Sequence, residues 1–190
     1  TGRHHSRGEF LFLLNDDTSV DRDQPILRLL EMANDPRVGV VGALLTYPDG
    51  RIQHAGIVLL PAGPTHAHIA RPRSFPGYFG STLTPRNFSA VTAAAMLIRS
   101  STFDELDGFD TEFARDFNDV DFCLRAREAG YRIAWTPYAH LTHHEGVSIV
   151  RKKADPQEQE LFDQRWGSMG VDPYYSPALH QSLARQYEAL

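Results

Sequence analysis

The alternation of apolar and polar positions changes period several times along the chain, and each change predicts an element. Phe10 to Leu14 is a short continuous apolar run that stops at Asn15, Asp16 and Asp17, the pattern of a buried strand with acids at its C-terminal end. Ile26, Leu27, Leu29 and Leu30 then recur at helical spacing until Asn34, Asp35 and Pro36 end the helix. Val38 to Leu45 reads as a second buried strand, and Pro48, Asp49 and Gly50 form a hairpin turn within the β-prone stretch Tyr47 to Leu60. From Pro61 to Pro85 periodicity is lost and Pro and Gly are dense, which predicts a long functional loop.

Ala90 to Ile98 returns to strand composition, with Ser101 as a cap for a short helix ending around Leu106 to Gly108. The best-defined helix follows. Asn118 suits its N-cap, Val120, Cys123 and Leu124 share one face, and Gly130 suits the left-handed position after its end. Arg132 to Trp135 is a further strand, followed by a charged stretch from Arg151 to Glu160 and a tail with Trp166, Tyr174 and Tyr175. Strands alternating with helices argue for an α/β domain with a mostly parallel sheet and an inserted β-hairpin, in which ligands gather at the C-terminal ends of the strands.

Composition narrows the classes. The chain has 190 residues, 42% hydrophobic and 23% charged, enough for one good core. A net charge of -5 gives no general pull on polyanions, so nucleic acid is not an expected partner. The lone Cys123 cannot form an internal disulfide, which suits a reducing compartment and makes a cytoplasmic location the expectation. Phe10 to Leu14 falls far short of the ~20 residues that span a bilayer, so membrane association would be peripheral. The chain begins at Thr1 rather than Met, and His4 and His5 read as a solvated approach to the first strand.

Three constellations could carry chemistry. Asn15, Asp16 and Asp17 offer oxygen ligands at a density that suits Mg²⁺ or Mn²⁺, although Asn and Asp also gather in turns for backbone reasons alone. Asn118, Asp119 and Asp121 open the strong helix, where free N–H groups and the macrodipole could fix an anionic base; acids in a first turn also serve as simple caps. Thr142, His143, His144 and Glu145 follow Pro137, and since adjacent side chains point apart, at most one of the two histidines would join a given metal site. Zinc has weak support, with a single Cys inside a helix and no HExxH pattern. Gln53 and His54 in the hairpin and His66 and His68 in the loop could touch ligand but read more simply as solvated, and Trp135, Trp166, Tyr174 and Tyr175 read as packing, with sugar stacking the lesser alternative. There is no Walker-type glycine loop and no GxSxG elbow.

Taken in order, Leu13 to Thr18 (LLNDDT), Gly42 to Gly56 (GALLTYPDGRIQHAG), Asp107 to Asp110 (DGFD), Asn118 to Arg125 (NDVDFCLR) and His143-His144-Glu145 resemble glycosyltransferase family 2. The nearest kinds are bacterial rhamnosyl- and galactofuranosyl-transferases, a likeness that Arg165-Trp166-Gly167 and Asp172 to Tyr175 extend into the tail. The resemblance implies a GT-A (Rossmann-like) fold and transfer of a sugar, with inversion, from a nucleotide-diphosphate-sugar donor to an acceptor hydroxyl on a saccharide or lipid-linked acceptor. It implies a divalent metal, Mn²⁺ or Mg²⁺, held by Asp17 in a DXD-like motif whose first Asp is Asn15 here. Asp16 would lie beside the donor's ribose or diphosphate, and Asn15 would bind the donor. By the same likeness Asp119 is the general base and His143 completes the metal site, with His144 as the alternative. Asp121 and Arg125 would shape the acceptor pocket and brace the helix, while Thr92, Ala93 and Ala94 border the acceptor.

The family opens with a nucleotide-binding strand and loop that nothing here matches. Residues 1–150 are therefore expected to be the C-terminal, metal- and acceptor-side part of a GT-A domain, without its N-terminal nucleotide-binding part, and residues 151–190 a helical, aromatic tail packing on it. A lipid-linked acceptor would place the reaction at the inner face of the membrane. Two other readings stand beside this one. A metal-dependent nucleotidyltransferase would release pyrophosphate and need a basic, Gly-rich phosphate loop; a carbohydrate-binding module would bind without turnover.

Overall fold

The computed structural model describes residues 2–20, 24–144, 154–167, 171–182 and 185–188. Glu145 of the third constellation and Arg151 to Lys153 of the charged stretch lie outside the described residues. In chain order the elements are α1 (Gly2–His5), β1 (Phe10–Leu14), β2 (Thr18–Ser19), α2 (Pro25–Ala33), β3 (Val38–Thr46), β4 (Ile52–His54), β5 (Ile57–Leu60), β6 (Gly63–His66), β7 (Arg86–Asn87), β8 (Ala95–Arg99), α3 (Ser100–Glu105), α4 (Asn118–Glu128), β9 (Arg132–His143) and α5 (Pro156–Trp166).

A seven-stranded sheet follows the order β1-β8-β3-β9-β2, with β4 added to β3 and β7 to β9. The long strands β3 and β9 run parallel, and β1 runs the same way with β8 antiparallel between β1 and β3. β3 is an unbroken apolar run because both its faces are covered. Val40 and Leu44 join the core with Val120, Phe122 and Leu124 of α4, whereas Val41, Ala43 and Leu45 join the core with Leu29 and Ala33 of α2. The same period of two sends Ile133 and Trp135 of β9 to the first core and Ala134 to the second. Phe162, Trp166, Tyr175 and Leu179, from α5 and the segment after it, bury themselves in the first core.

Several elements differ from the sequence reading for identifiable reasons. β1 is half-buried rather than buried, with Leu14 48% exposed, because among the described residues it pairs only with β8. The loop expected from Pro61 begins instead as strand: β6 returns along β5 in a second hairpin, from Ile57↔His66 to Leu60↔Gly63. Asn118 is the first residue of α4 rather than its cap. That place is taken by Phe117 in the left-handed conformation (φ 63°), fixed by stacking on Phe162 of α5 at 4.7 Å. Likewise Ser100, not a cap at Ser101, opens α3.

The end of α4 is as expected. Gly130 (φ 91°) donates to the Arg127 carbonyl and Tyr131 N–H to that of Ala126, the paired bonds of a Schellman motif. β9 passes through Pro137 and ends only at His143. Its register against β3 slips after Ala43↔Thr136, resuming at Leu44↔His140, so Pro137 to Ala139 bulge out of the ladder where a missing N–H does no harm.

Candidate active site

The topology collects the sequence motifs at one end of the sheet. β1 delivers Asn15 to Asp17 at its C-terminal end, and β8, running against it, brings Thr92 to Ala94 to the same end just before its own start. The two meet directly, since the Asn15 N–H donates to the Ala94 carbonyl at 3.0 Å. After Leu14 the chain turns on Thr18, whose hydroxyl donates to the Asn15 carbonyl at 2.7 Å. It then forms β2, whose pairs Thr18↔His143 and Ser19↔Thr142 fasten the acidic turn to the end of β9.

This pairing places Asp17 Oδ1 2.9 Å from Nε2 of His143. The two do not make a well-directed hydrogen bond: Oδ1 is buried and accepts none. On its other side, His143 has Nδ1 2.6 Å from Gln53 Oε1, an amide oxygen that can only accept, so Nδ1 carries the hydrogen. In the tautomer that this sets, the Nε2 lone pair is turned toward the carboxylate, and Asn15 Nδ2, 3.3 Å away, donates to it. An orphaned carboxylate oxygen facing an imidazole lone pair is a donor set that fits a divalent cation. Among the described residues no group of three or more His, Cys, Asp or Glu could hold a metal. Asp17 and His143 could therefore be only part of a coordination shell, the rest coming from phosphate oxygens and water, as hard cations at phosphate sites prefer. Asp16 is exposed in the same turn, and His144 faces away, its Nε2 2.9 Å from the Ser19 hydroxyl.

Asp119 lies across the Thr92–Ala94 segment from this pair. Oδ2 accepts from the Ala93 N–H at 3.0 Å and Oδ1 from the Val120 N–H at 2.8 Å. Burial pushes its carboxyl above the usual Asp value, and the bonds from Ala93, Thr92 and Val120 only partly offset this. Such a carboxylate is a better proton acceptor than an ordinary surface one.

Asp121, two residues on, has a different environment. It is fully buried and accepts from Arg125 Nε at 2.8 Å, Arg165 Nη1 at 2.9 Å and Trp166 Nε1 at 3.0 Å. The expected direct contact with acceptor does not fit a group so enclosed; bracing α4 does. Arg125 also donates to the carbonyls of Leu106 and Gly108, so the Asp107–Asp110 motif is a loop folded onto α4. Arg165 adds Asp110 at 2.7 Å, and Glu158 accepts from the N–H groups of Arg115 and Asp116. Together these bonds tie α5 and the two loops to the first turns of α4.

Two residues that the sequence marks as possible ligand contacts but reads as more simply solvated lie inside the site. Gln53 and His54 are 7% and 1% exposed. His54 accepts at Nε2 from the Gly56 N–H at 3.3 Å and approaches the Thr92 N–H at 3.5 Å, so its other nitrogen, 2.9 Å from Nδ1 of His66, carries the hydrogen. Burial, then the nearness of His66 and His143, holds its pKa well below the usual histidine value. Contacts thus run without a break from Asp17 through His143, Gln53, His54 and Thr92 to Asp119. His68 is also buried, but against Ser81 and the ring of Tyr187, in the loop packing. Gly56 (φ 95°) lets the backbone after His54 lie against Phe88, since a Cβ there would stand 2.3 Å from that ring. The polar pair Gln53-His54 set between apolar Ile52 and Ala55 is the signal in the sequence that marks them.

No family model matches the chain. It is 41% identical over 183 residues to the uncharacterized protein y4gI of Sinorhizobium fredii and 35% identical over 188 residues to the O-antigen biosynthesis protein RfbC of Myxococcus xanthus, covering 92% and 90% of this chain. Over 127 residues, 63% of the chain, it is 30% identical to an N-acetylglucosaminyl-diphospho-decaprenol L-rhamnosyltransferase of Mycobacterium tuberculosis. The chain spans only 20%, 14% and 41% of these relatives' lengths. Among solved structures, a mannosyltransferase from Pyrobaculum calidifontis in complex with GDP-Man and Mn²⁺ matches 75% of this chain and 34% of its own, with TM-score 0.51 at 15% identity. GalNAc-T7 with UDP, GalNAc and Mn²⁺ matches 86% and 35%, with TM-score 0.54 at 15% identity. These likenesses establish the fold as that of GT-A glycosyltransferases. No helix among the described residues is long and apolar enough to cross a membrane.

Proposed function

We propose that this chain, GT-A in fold and related in sequence to bacterial rhamnosyltransferases, is the metal- and acceptor-side part of an inverting glycosyltransferase. The observation that carries the reading is the unpartnered Asp17 Oδ1 facing Nε2 of His143, one short segment away from the partly buried carboxylate of Asp119. Asp17 and His143 would hold Mn²⁺ or Mg²⁺, which when bound neutralises negative charge on the departing nucleoside diphosphate. The Mn²⁺ in both solved neighbours supports that choice.

Asp119 takes the proton of the acceptor hydroxyl as that oxygen forms its bond to the anomeric carbon and the bond from that carbon to the diphosphate oxygen breaks. The proton ends on Asp119, and the anomeric configuration is inverted. No covalent enzyme intermediate is required. Asn15 and Asp16, exposed in the turn, would meet the donor, and Thr92 and Ala93 would border the acceptor, with the Ala93 N–H holding Asp119. The names of the relatives favour a saccharide or lipid-linked saccharide acceptor in bacterial polysaccharide assembly.

The test is to incubate the protein carrying this chain with Mn²⁺, a panel of nucleotide-sugars beginning with nucleotide-activated rhamnose, and saccharide acceptors. The released phosphate species and the product's anomeric configuration are then read. Nucleoside diphosphate with an inverted product is expected. Pyrophosphate would mark a nucleotidyltransferase, and saccharide binding with no turnover of any donor a binding module.

A further inference from the structure

β4 returns along β3 with a slip in register. Leu45 pairs with His54 but Thr46 with Ile52, so Gln53 is the extra, unpaired residue of a β-bulge. Bulges beside sites commonly re-aim one side chain out of the ladder. Here the re-aimed side chain reaches across to the end of β9, where Gln53 Oε1 lies 2.6 Å from Nδ1 of His143, with both residues nearly excluded from water at 7% and 2% exposure. A buried imidazole has one hydrogen to place when neutral, and an acceptor at Nδ1 decides where it goes. The opposite nitrogen is the one 2.9 Å from Asp17 Oδ1.

We propose that Gln53 is a positioning residue whose amide oxygen fixes His143 as the Nδ1–H tautomer, so that the Nε2 lone pair is aimed at a divalent cation shared with Asp17. This rests on the metal reading given above and assigns that site a partner outside its ligands. Outer partners of this kind orient the ring and raise its basicity, and their loss typically weakens metal binding by ~10–100-fold. The bulge gives the pairing a structural origin: an in-register β4 would return Gln53 to the ladder and leave Nδ1 without this acceptor.

The experiment measures free Mn²⁺ by electron paramagnetic resonance during titration of the protein carrying this chain, without donor or acceptor. Wild type is compared with Gln53→Leu, Gln53→Glu and His143→Ala, and long-range ¹H–¹⁵N spectra of the metal-free proteins report the His143 tautomer. Gln53→Leu should weaken Mn²⁺ binding by ~10–100-fold and shift His143 toward the Nε2–H form. Gln53→Glu, which restores an acceptor oxygen, should bind at least as tightly as wild type. If Gln53→Leu keeps both the wild-type affinity and the Nδ1–H tautomer while His143→Ala loses Mn²⁺, the role of Gln53 is overturned and the metal reading stands. If His143→Ala itself binds Mn²⁺ as wild type does, the metal reading fails. Should Gln53→Leu not fold, Gln53→Glu carries the test: a tenfold loss of affinity in that variant would overturn the proposal.

Discussion

Two acidic stretches, each opened by an asparagine, meet at the end of the same sheet with their charges provided for in opposite ways. In the turn Asn15 to Asp17 the protein supplies few donors: Asp16 is exposed, and Asp17 Oδ1 is buried without a hydrogen-bond donor. At the start of α4 the protein supplies the donors. Asp119 takes two backbone N–H groups, and Asp121 takes two arginines and an indole. The proposed roles of ligand, base and brace follow the number of donors that the fold aims at each acid. Capping convention alone would treat Asp119 and Asp121 alike.

The largest effect should come from the stretch with fewest donors. Asp17→Asn keeps the turn's shape but removes the charge, and transfer measured at fixed Mn²⁺ should fall by ~10²–10³-fold, about 3–4 kcal/mol of transition-state stabilisation, with partial recovery at higher Mn²⁺. Wild-type turnover in this variant would erase the contrast between the two stretches. Next is the brace. Asp121→Ala takes the shared carboxylate from Arg125, Arg165 and Trp166, and because both arginines are 22–28% exposed and keep other acceptors the cost is set below that of a fully buried pair, at about 2–4 kcal/mol, read by urea denaturation. A variant as stable as wild type would mean that α5 is held by Phe162 and Trp166 packing alone.

A smaller effect concerns pH. Asp119 must be ionised to accept a proton, and burial raises its pKa from the ordinary 3.8. The acid limb of kcat/KM should therefore lie above 3.8 and vanish from the residual activity of Asp119→Asn. For stability the sign is opposite to that of an ion-paired carboxylate. A raised folded-state pKa contributes stability that is fully present below the unfolded value and lost as pH rises through the folded one.

Much of this contrast is legible in the order of residues alone. An apolar run ending in Asn15-Asp16-Asp17 marks a strand's C-terminal end, and the cluster at Asn118 to Asp121 exceeds what capping needs. Pairing is not legible in the same way. β2 has two residues and no periodicity of its own, yet its pairing with β9 sets Asp17 against His143. The extension of β9 through Pro137 and the bulge that aims Gln53 are both slips of register, which depend on the partner strand rather than on local sequence. Asp121 reads as a pocket residue because its burial is made by Arg165 and Trp166, more than forty positions away on α5. The half-buried β1 shows the converse: apolar continuity reports how a strand is suited to be covered, while its neighbours decide how far it is.

The central claim, that one stretch holds the metal while the other supplies the base, is tested most directly with Asp119→Asn. Calorimetry with Mn²⁺ and a turned-over nucleotide-sugar, alongside a transfer assay, should show metal-dependent donor binding within about threefold of wild type, a change of under ~0.7 kcal/mol, with transfer reduced by ~10²–10⁴-fold. Transfer at the wild-type rate, or loss of Mn²⁺-dependent donor binding in step with transfer, would contradict the division of roles.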